Sequence, residues 1–158
     1  MPTDPSAAQT LAEQAHVIHA ALQTSDGRLK ASPDITAILL AHFFFEQVER
    51  GGFAQLIYNA QGENLQQIEQ MLRDAPAPEA LRFFVQAIRM CFEDKLTYHQ
   101  FISNPYMDHN DLKERLHMLS MQYAFNATWF DEEAEQFLQA TPARVAAWMA
   151  GSTPDAAA

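Results

Sequence analysis

The sequence is short of several residue types on which small-protein chemistry depends. Cysteine occurs once, as Cys91 within AIRMCF, so no intrachain disulfide can form, which fits a reducing cytosol. Lysine and arginine number ten against twenty aspartates and glutamates, for a formal charge of −10. That deficit argues against direct binding to nucleic acid or to an anionic membrane, both of which need a positive footprint. The longest apolar run, ITAILLAHFFF at 35–45, contains His42 and is too short to span a bilayer. MPTDPSAAQT at the N-terminus has neither the basic nor the apolar region of a signal peptide. A cytoplasmic chain is expected. Alternating strand patterns and internal repeats are also missing, which leaves little basis for a sheet or a solenoid.

What is present is helical periodicity. At 158 residues, 48% apolar and 19% charged, the chain can fill one core. Asp4-Pro5 reads as a cap followed by proline, and Leu11, Ala15, Ile18 and Leu22 then recur at helical spacing to about Thr24. Ser32-Pro33 repeats the signature ahead of an apolar helix spanning about 34–50. FAQLIYN gives about two more turns and NAQG closes them. Leu65, Ile68, Met71 and Leu72 mark a short helix that APAP at 75–78 breaks.

The stretch from Pro78 to Ile102 is the longest continuous helical pattern, and it stops before Asn104-Pro105. Asp108 is expected to open the next helix, with Leu112, Leu116, Leu119 and Tyr123 on its core face. Asp131 is expected to start another, and Thr141-Pro142 a further one. The expected fold is all-α: one domain over residues 1–150 with seven to nine helices, several short, and a loose tail at 151–158.

Glycine is scarce too, but three of its five copies fall in RGGFAQLIYNAQGEN at 50–64. A dinucleotide fingerprint needs G-x-G-x-x-G after a strand, and a phosphate loop needs a following Lys-Ser/Thr. Gly51-Gly52 has neither, so one of the pair is expected in a left-handed conformation at a helix end, with the other allowing close packing at a corner.

Two E-x-x-H pairs, Glu13/His16 and Glu114/His117, have the spacing used in di-metal carboxylate bundles, with Glu46 or Glu49 and Glu93 as nominal further ligands. Their order along the chain lacks the usual alternation, and chance matches are expected in an acidic helical chain. Cys91 sits among apolar neighbours, where a thiol is inert packing. No catalytic set and no cofactor are expected, and a di-metal enzyme is the least favoured reading.

The remaining constellation is acidic. Nine acids lie between Glu93 and Glu135, opposed by Lys95, Lys113 and Arg115, so this stretch holds six of the ten net charges. Asp108 with Asp111, and Asp131 with Glu132 and Glu133, fall at expected helix starts, where a negative charge is favourable by about 0.3–1 kcal/mol. Placement at helix ends does not account for the overall surplus. Acids three or four apart on a helix lie about 5–6 Å from one another, comparable to the phosphate spacing along a duplex strand with its axial rise of about 3.4 Å.

Asp108, Asp111, Glu114, Asp131, Glu132 and Glu135 are therefore the candidate partner-binding residues, and a basic DNA-binding protein is the partner that fits them. The alternative is a helical interaction or immunity-type module that binds through a pocket or an apolar surface. Phe43-Phe44-Phe45 point in three directions around a helix, so a second helical layer or a subunit interface must cover some of them. A homodimer is expected on that ground.

VERGGFAQLIYNAQG resembles the signature of a small all-helical bacterial family whose best-known members are acidic DNA mimics. The matching positions are Gly51, Gly52, Phe53, Gln55, Asn59 and Gly62, with Arg50 standing where the family often has asparagine. QYAFNATWFDEEAEQFLQ looks like the family's acidic and aromatic C-terminal region. The resemblance implies an all-α fold, frequent dimerisation and no known enzymatic activity. For the mimic members it also implies a surface that occupies the DNA-binding face of a transcription regulator or a similar basic protein.

Overall fold

A computed structural model describes residues 6–151, and the expected cap at Asp4-Pro5 and all of the expected tail at 151–158 except Gly151 lie outside them. Eight helices and no strand occur among the described residues. They are α1 (Ala7–Thr24), α2 (Pro33–Ala60), α3 (Leu65–Asp74), α4 (Pro78–Glu93), α5 (Lys95–Ser103), α6 (Asp111–Asn126), α7 (Phe130–Glu133) and α8 (Glu135–Met149). None of them is long and apolar enough to cross a membrane.

Local chemistry accounts for most of the starts. Ser6 and Gln9 form a reciprocal capping box at α1. The Ser32 hydroxyl accepts the Ile35 N–H at α2, with Pro33 at the first helical position. Gln61 and Gly62, both with positive φ, end α2 where NAQG was expected to stop it.

The long helix α2 lies at the centre, packed by α1, α3, α5, α6 and α8, while α4 is packed by α3, α5, α6 and α7. Apolar residues surround α2 on every side because helices do. Phe44 is fully buried against Phe53, Phe84 and Phe130. Phe43 and Phe45 are half-buried against the same core. The aromatic crowding that called for a subunit interface is thus taken up within the chain.

Four helix boundaries differ from expectation. The 78–102 pattern is two helices, because Asp94 leaves helical geometry and its carboxylate caps α5 by accepting the Thr97 N–H. Helix α6 starts at Asp111, not Asp108, since the Asn110 side chain takes the Lys113 N–H. Asp131 is not the first residue of α7, which begins at Phe130.

Thr141-Pro142 does not start a helix. Pro142 lies inside α8, and the buried Thr141 hydroxyl donates to the Leu138 carbonyl at 2.7 Å. That carbonyl is the one a proline at position 142 leaves without its helical donor. At the end of α8, Trp148 Nε1 donates to the Lys30 carbonyl and ties the helix to the α1–α2 connector.

Candidate partner-binding surface

The glycine motif bends α2 rather than ending it. Gly52 has φ 68 and ψ −163, outside the left-handed helical region and in a conformation essentially restricted to glycine. A Cβ there would meet Ser120 Oγ of α6 at 2.3 Å. The Ser120 hydroxyl accepts the Phe53 N–H at 2.8 Å and donates to the Leu116 carbonyl. Phe53 is buried beside Phe83 and Tyr123. Gln55 and Asn59 both donate their side-chain amides to Gln47 Oε1, joining the two arms of the bend. Gly51 leaves the space that the Gln55 side chain crosses to get there. The motif residues are therefore architectural: Gly52 and Phe53 seat α2 against α6, Gly51, Gln55 and Asn59 join the two arms of the bend, and Gly62 lets α2 end.

Helix α6 carries the first part of the acidic constellation. Its core face, Leu112, Leu116, Leu119 and Tyr123, is buried as the spacing requires. Phe83 of α4 packs on Tyr123, while Met90 of α4 and Arg115 share a hollow at the other end, so α4 and α6 run antiparallel. The six candidate carboxylates fall into two groups. Asp108, Asp111 and Glu114 are exposed around the N-terminal end of α6. Asp131, half-buried, and Glu132 and Glu135, exposed, lie beyond its C-terminal end. With about 1.5 Å of rise per residue, the groups stand about 20 Å apart along the helix.

None of the six pairs with a lysine or arginine among the described residues. Asp111 meets only His109, at 3.1 Å, and Glu135 accepts from Gln139. The arginine–glutamate pairs lie elsewhere, at Glu46/Arg50, Glu69/Arg73 and Glu79/Arg82.

Three charged residues in this region have internal roles that spacing did not reveal. Glu133 accepts the Glu79 and Ala80 N–H groups at 2.8 and 2.9 Å, capping α4 from α7. Asp94 is held below the usual carboxylate range by the Thr97 hydroxyl and backbone N–H. Lys113 is buried, and its Nζ donates to the Tyr106 and Asp108 carbonyls at 2.6 Å each. It therefore anchors the loop that carries Asp108. An aspartate three residues before Thr97 was the available sequence signal for the Asp94 cap, whereas Glu133 and Lys113 act on partners that only folding brings near.

The E-x-x-H pairs do not converge. Glu13, His16 and Glu114 are exposed, and no group of three or more His, Cys, Asp or Glu among the described residues could hold a metal ion. Cys91 is buried, and desolvation pushes its thiol up to about 12. Burial likewise raises Tyr123, against a smaller lowering by the Phe130 backbone, and its hydroxyl makes no well-formed hydrogen bond.

The outer face of α6 carries three exposed apolar side chains: Met118, Met121 and Phe125 are 63%, 59% and 81% exposed. A separate hollow of about 510 Å³ lies between α3 and α4, floored by Leu65, Phe84, Val85 and Ile88 with Phe92 at its rim.

No curated protein and no solved structure matches this chain. A family model described as DMP19-like protein matches residues 30–151, from the loop before α2 to the end of α8. The matched span includes the bent α2, α6 and both acidic groups, and the chain belongs to the DMP19-like protein family.

Proposed function

We propose that this protein is a non-enzymatic binding protein whose acidic surface engages a basic DNA-binding partner, such as a transcription regulator, by imitating DNA. The observation that carries the reading is the set of six carboxylates flanking α6 that have no lysine or arginine partner, in a chain of net charge −10. Unpaired acids at both ends of one helix create a negative field that attracts a basic surface and speeds its encounter. The family resemblance in the glycine motif points the same way.

The test is capture from a lysate of the native host at low and high salt. The wild type is compared with a variant carrying Asp108→Lys, Asp111→Lys, Asp131→Lys and Glu132→Lys. Glu133 and Asp94 stay unchanged because they cap helices. The expected result is a basic DNA-binding protein captured at low salt, released steeply as salt rises, and lost in the variant. Capture that is unchanged by charge reversal would remove this surface from the account.

A further inference from the structure

The hollow between α3 and α4 has no part in the acidic surface. At about 510 Å³ it falls within the roughly 300–1,000 Å³ of small-molecule sites. Its α4 wall is apolar because Phe84, Ile88 and Phe92 recur every four residues and so stand one above another on the helix. Phe84 is fully buried and closes the floor, whereas Phe92 is 65% exposed at the rim. Leu65 contributes the apolar side chain of the α3 wall.

Val85 lines this hollow and also a second one of about 380 Å³, further round α4, where the chemistry changes. Arg73, Arg82 and Arg89 line the second hollow, three of the seven arginines in an acidic chain, together with Gln86 and Leu81. Arg82 and Arg89 are two turns apart and share one side of α4, at an axial separation of about 10 Å. Arg73 joins them from the last turn of α3. Glu69 pairs with Arg73 at 2.9 Å and Glu79 with Arg82 at 2.7 Å. Arg89 has no ion-pair partner among the described residues.

We propose that the two hollows form one binding site for a small anionic amphiphile. Its apolar body would lie on Leu65, Phe84, Val85, Ile88 and Phe92, and its carboxylate or phosphate head would pass Val85 to meet Arg89 and Arg73. The site is independent of the acidic surface around α6.

Charge complementarity selects this occupant. A neutral apolar ligand leaves the arginines without a role, a bare anion leaves the apolar hollow without one, and a cationic amphiphile sets its head against guanidinium groups. Arginine presents paired donors in a plane that matches carboxylate and phosphate oxygens. Glu69 is the internal competitor, because it stands on the wall of the apolar hollow and occupies Arg73. The chain's net negative charge opposes any anion, but it is screened over about 8 Å at physiological ionic strength, so contacts at the arginines decide.

The probes are decanoate, decyl phosphate, decanol and acetate. Each is titrated into the full chain below its micellar concentration at neutral pH, and binding is followed by the NMR shifts of backbone amides. The proteins compared are the wild type, Arg89→Gln and Glu69→Gln. Neither side chain is buried, so an unchanged circular dichroism spectrum and thermal transition serve as the fold control.

Decanoate or decyl phosphate is expected to bind at least about tenfold more tightly than decanol, with shifts centred on α3 and α4, and acetate too weakly to saturate. The tighter of the two anions identifies the head group. Arg89→Gln is expected to erase the advantage of the anions over decanol. Glu69→Gln, which frees Arg73, is expected to tighten anion binding at least about twofold and to leave decanol unchanged. Anions that bind no better than decanol, or equally well to the Arg89→Gln protein, would overturn the site. Acetate binding as tightly as decanoate would overturn it too, since the apolar hollow would then contribute nothing.

Discussion

Replacing Gly52 with alanine tests the geometry that seats α2 on α6. At φ 68 and ψ −163 a residue with a Cβ is strained by about 1–3 kcal/mol. The added methyl would also stand 2.3 Å from Ser120 Oγ and 2.6 Å from its Cβ, on a helix whose buried face cannot easily retreat. Moving Ser120 would break its 2.8 Å bond from the Phe53 N–H and leave that part-buried donor unpaired, for a further loss of about 1–3 kcal/mol. The combined loss is about 2–6 kcal/mol, a large part of the roughly 5–15 kcal/mol that holds a domain together.

Urea denaturation followed by circular dichroism gives the measurement, with the melting temperature expected to fall on the order of 10 °C. Gly27→Ala is the matched control. Gly27 also has positive φ, at 79, but no atom lies within 4 Å of its would-be Cβ, so only about 1–2 kcal/mol of backbone strain is expected. A Gly52→Ala protein no less stable than the Gly27→Ala protein would show that the bend does not depend on the contact with Ser120.

Buried and capping groups carry the remaining predictions. Glu133→Gln should destabilise the fold by about 1–2 kcal/mol in urea, because two N–H groups of α4 lose a charged acceptor. Glu132→Gln, next to it and exposed, should change stability by less than about 0.5 kcal/mol while weakening partner capture. Stability should also decline under alkaline conditions. The Cys91 thiol rises from 9.0 to about 12 on folding, so its contribution is fully present below about pH 9 and is lost as pH climbs toward 12. Tyr123, raised from 10.0, shifts stability in the same direction. Cys91→Ala should flatten the alkaline slope, and native Cys91 should resist alkylation at pH 8 until the protein is unfolded. Tyr123→Phe should cost less than about 1 kcal/mol, since the buried hydroxyl it removes makes no well-formed hydrogen bond and has only the Phe130 backbone near it.

Sequence by itself determined the all-α class, the start of α2 at Ser32-Pro33 and the core face of α6. Each rests on contacts within four residues or on the periodic burial of one helix face. It also singled out the glycine motif, although not that Gly52 bends a single helix while Ser120, far along the chain, holds the bend.

Tertiary structure decided what proximity in sequence could not. Pro142 stays inside α8 where the Thr141 hydroxyl takes the orphaned Leu138 carbonyl and packing holds the turn, so a start signal was overridden. Among three adjacent acids in Asp131-Glu132-Glu133, only the last turns inward, because the N-terminus of α4 arrives beside it. The surplus of acids was legible as a number. Its division into two groups about 20 Å apart along α6 was not, because helical rise separates them only once the chain has folded.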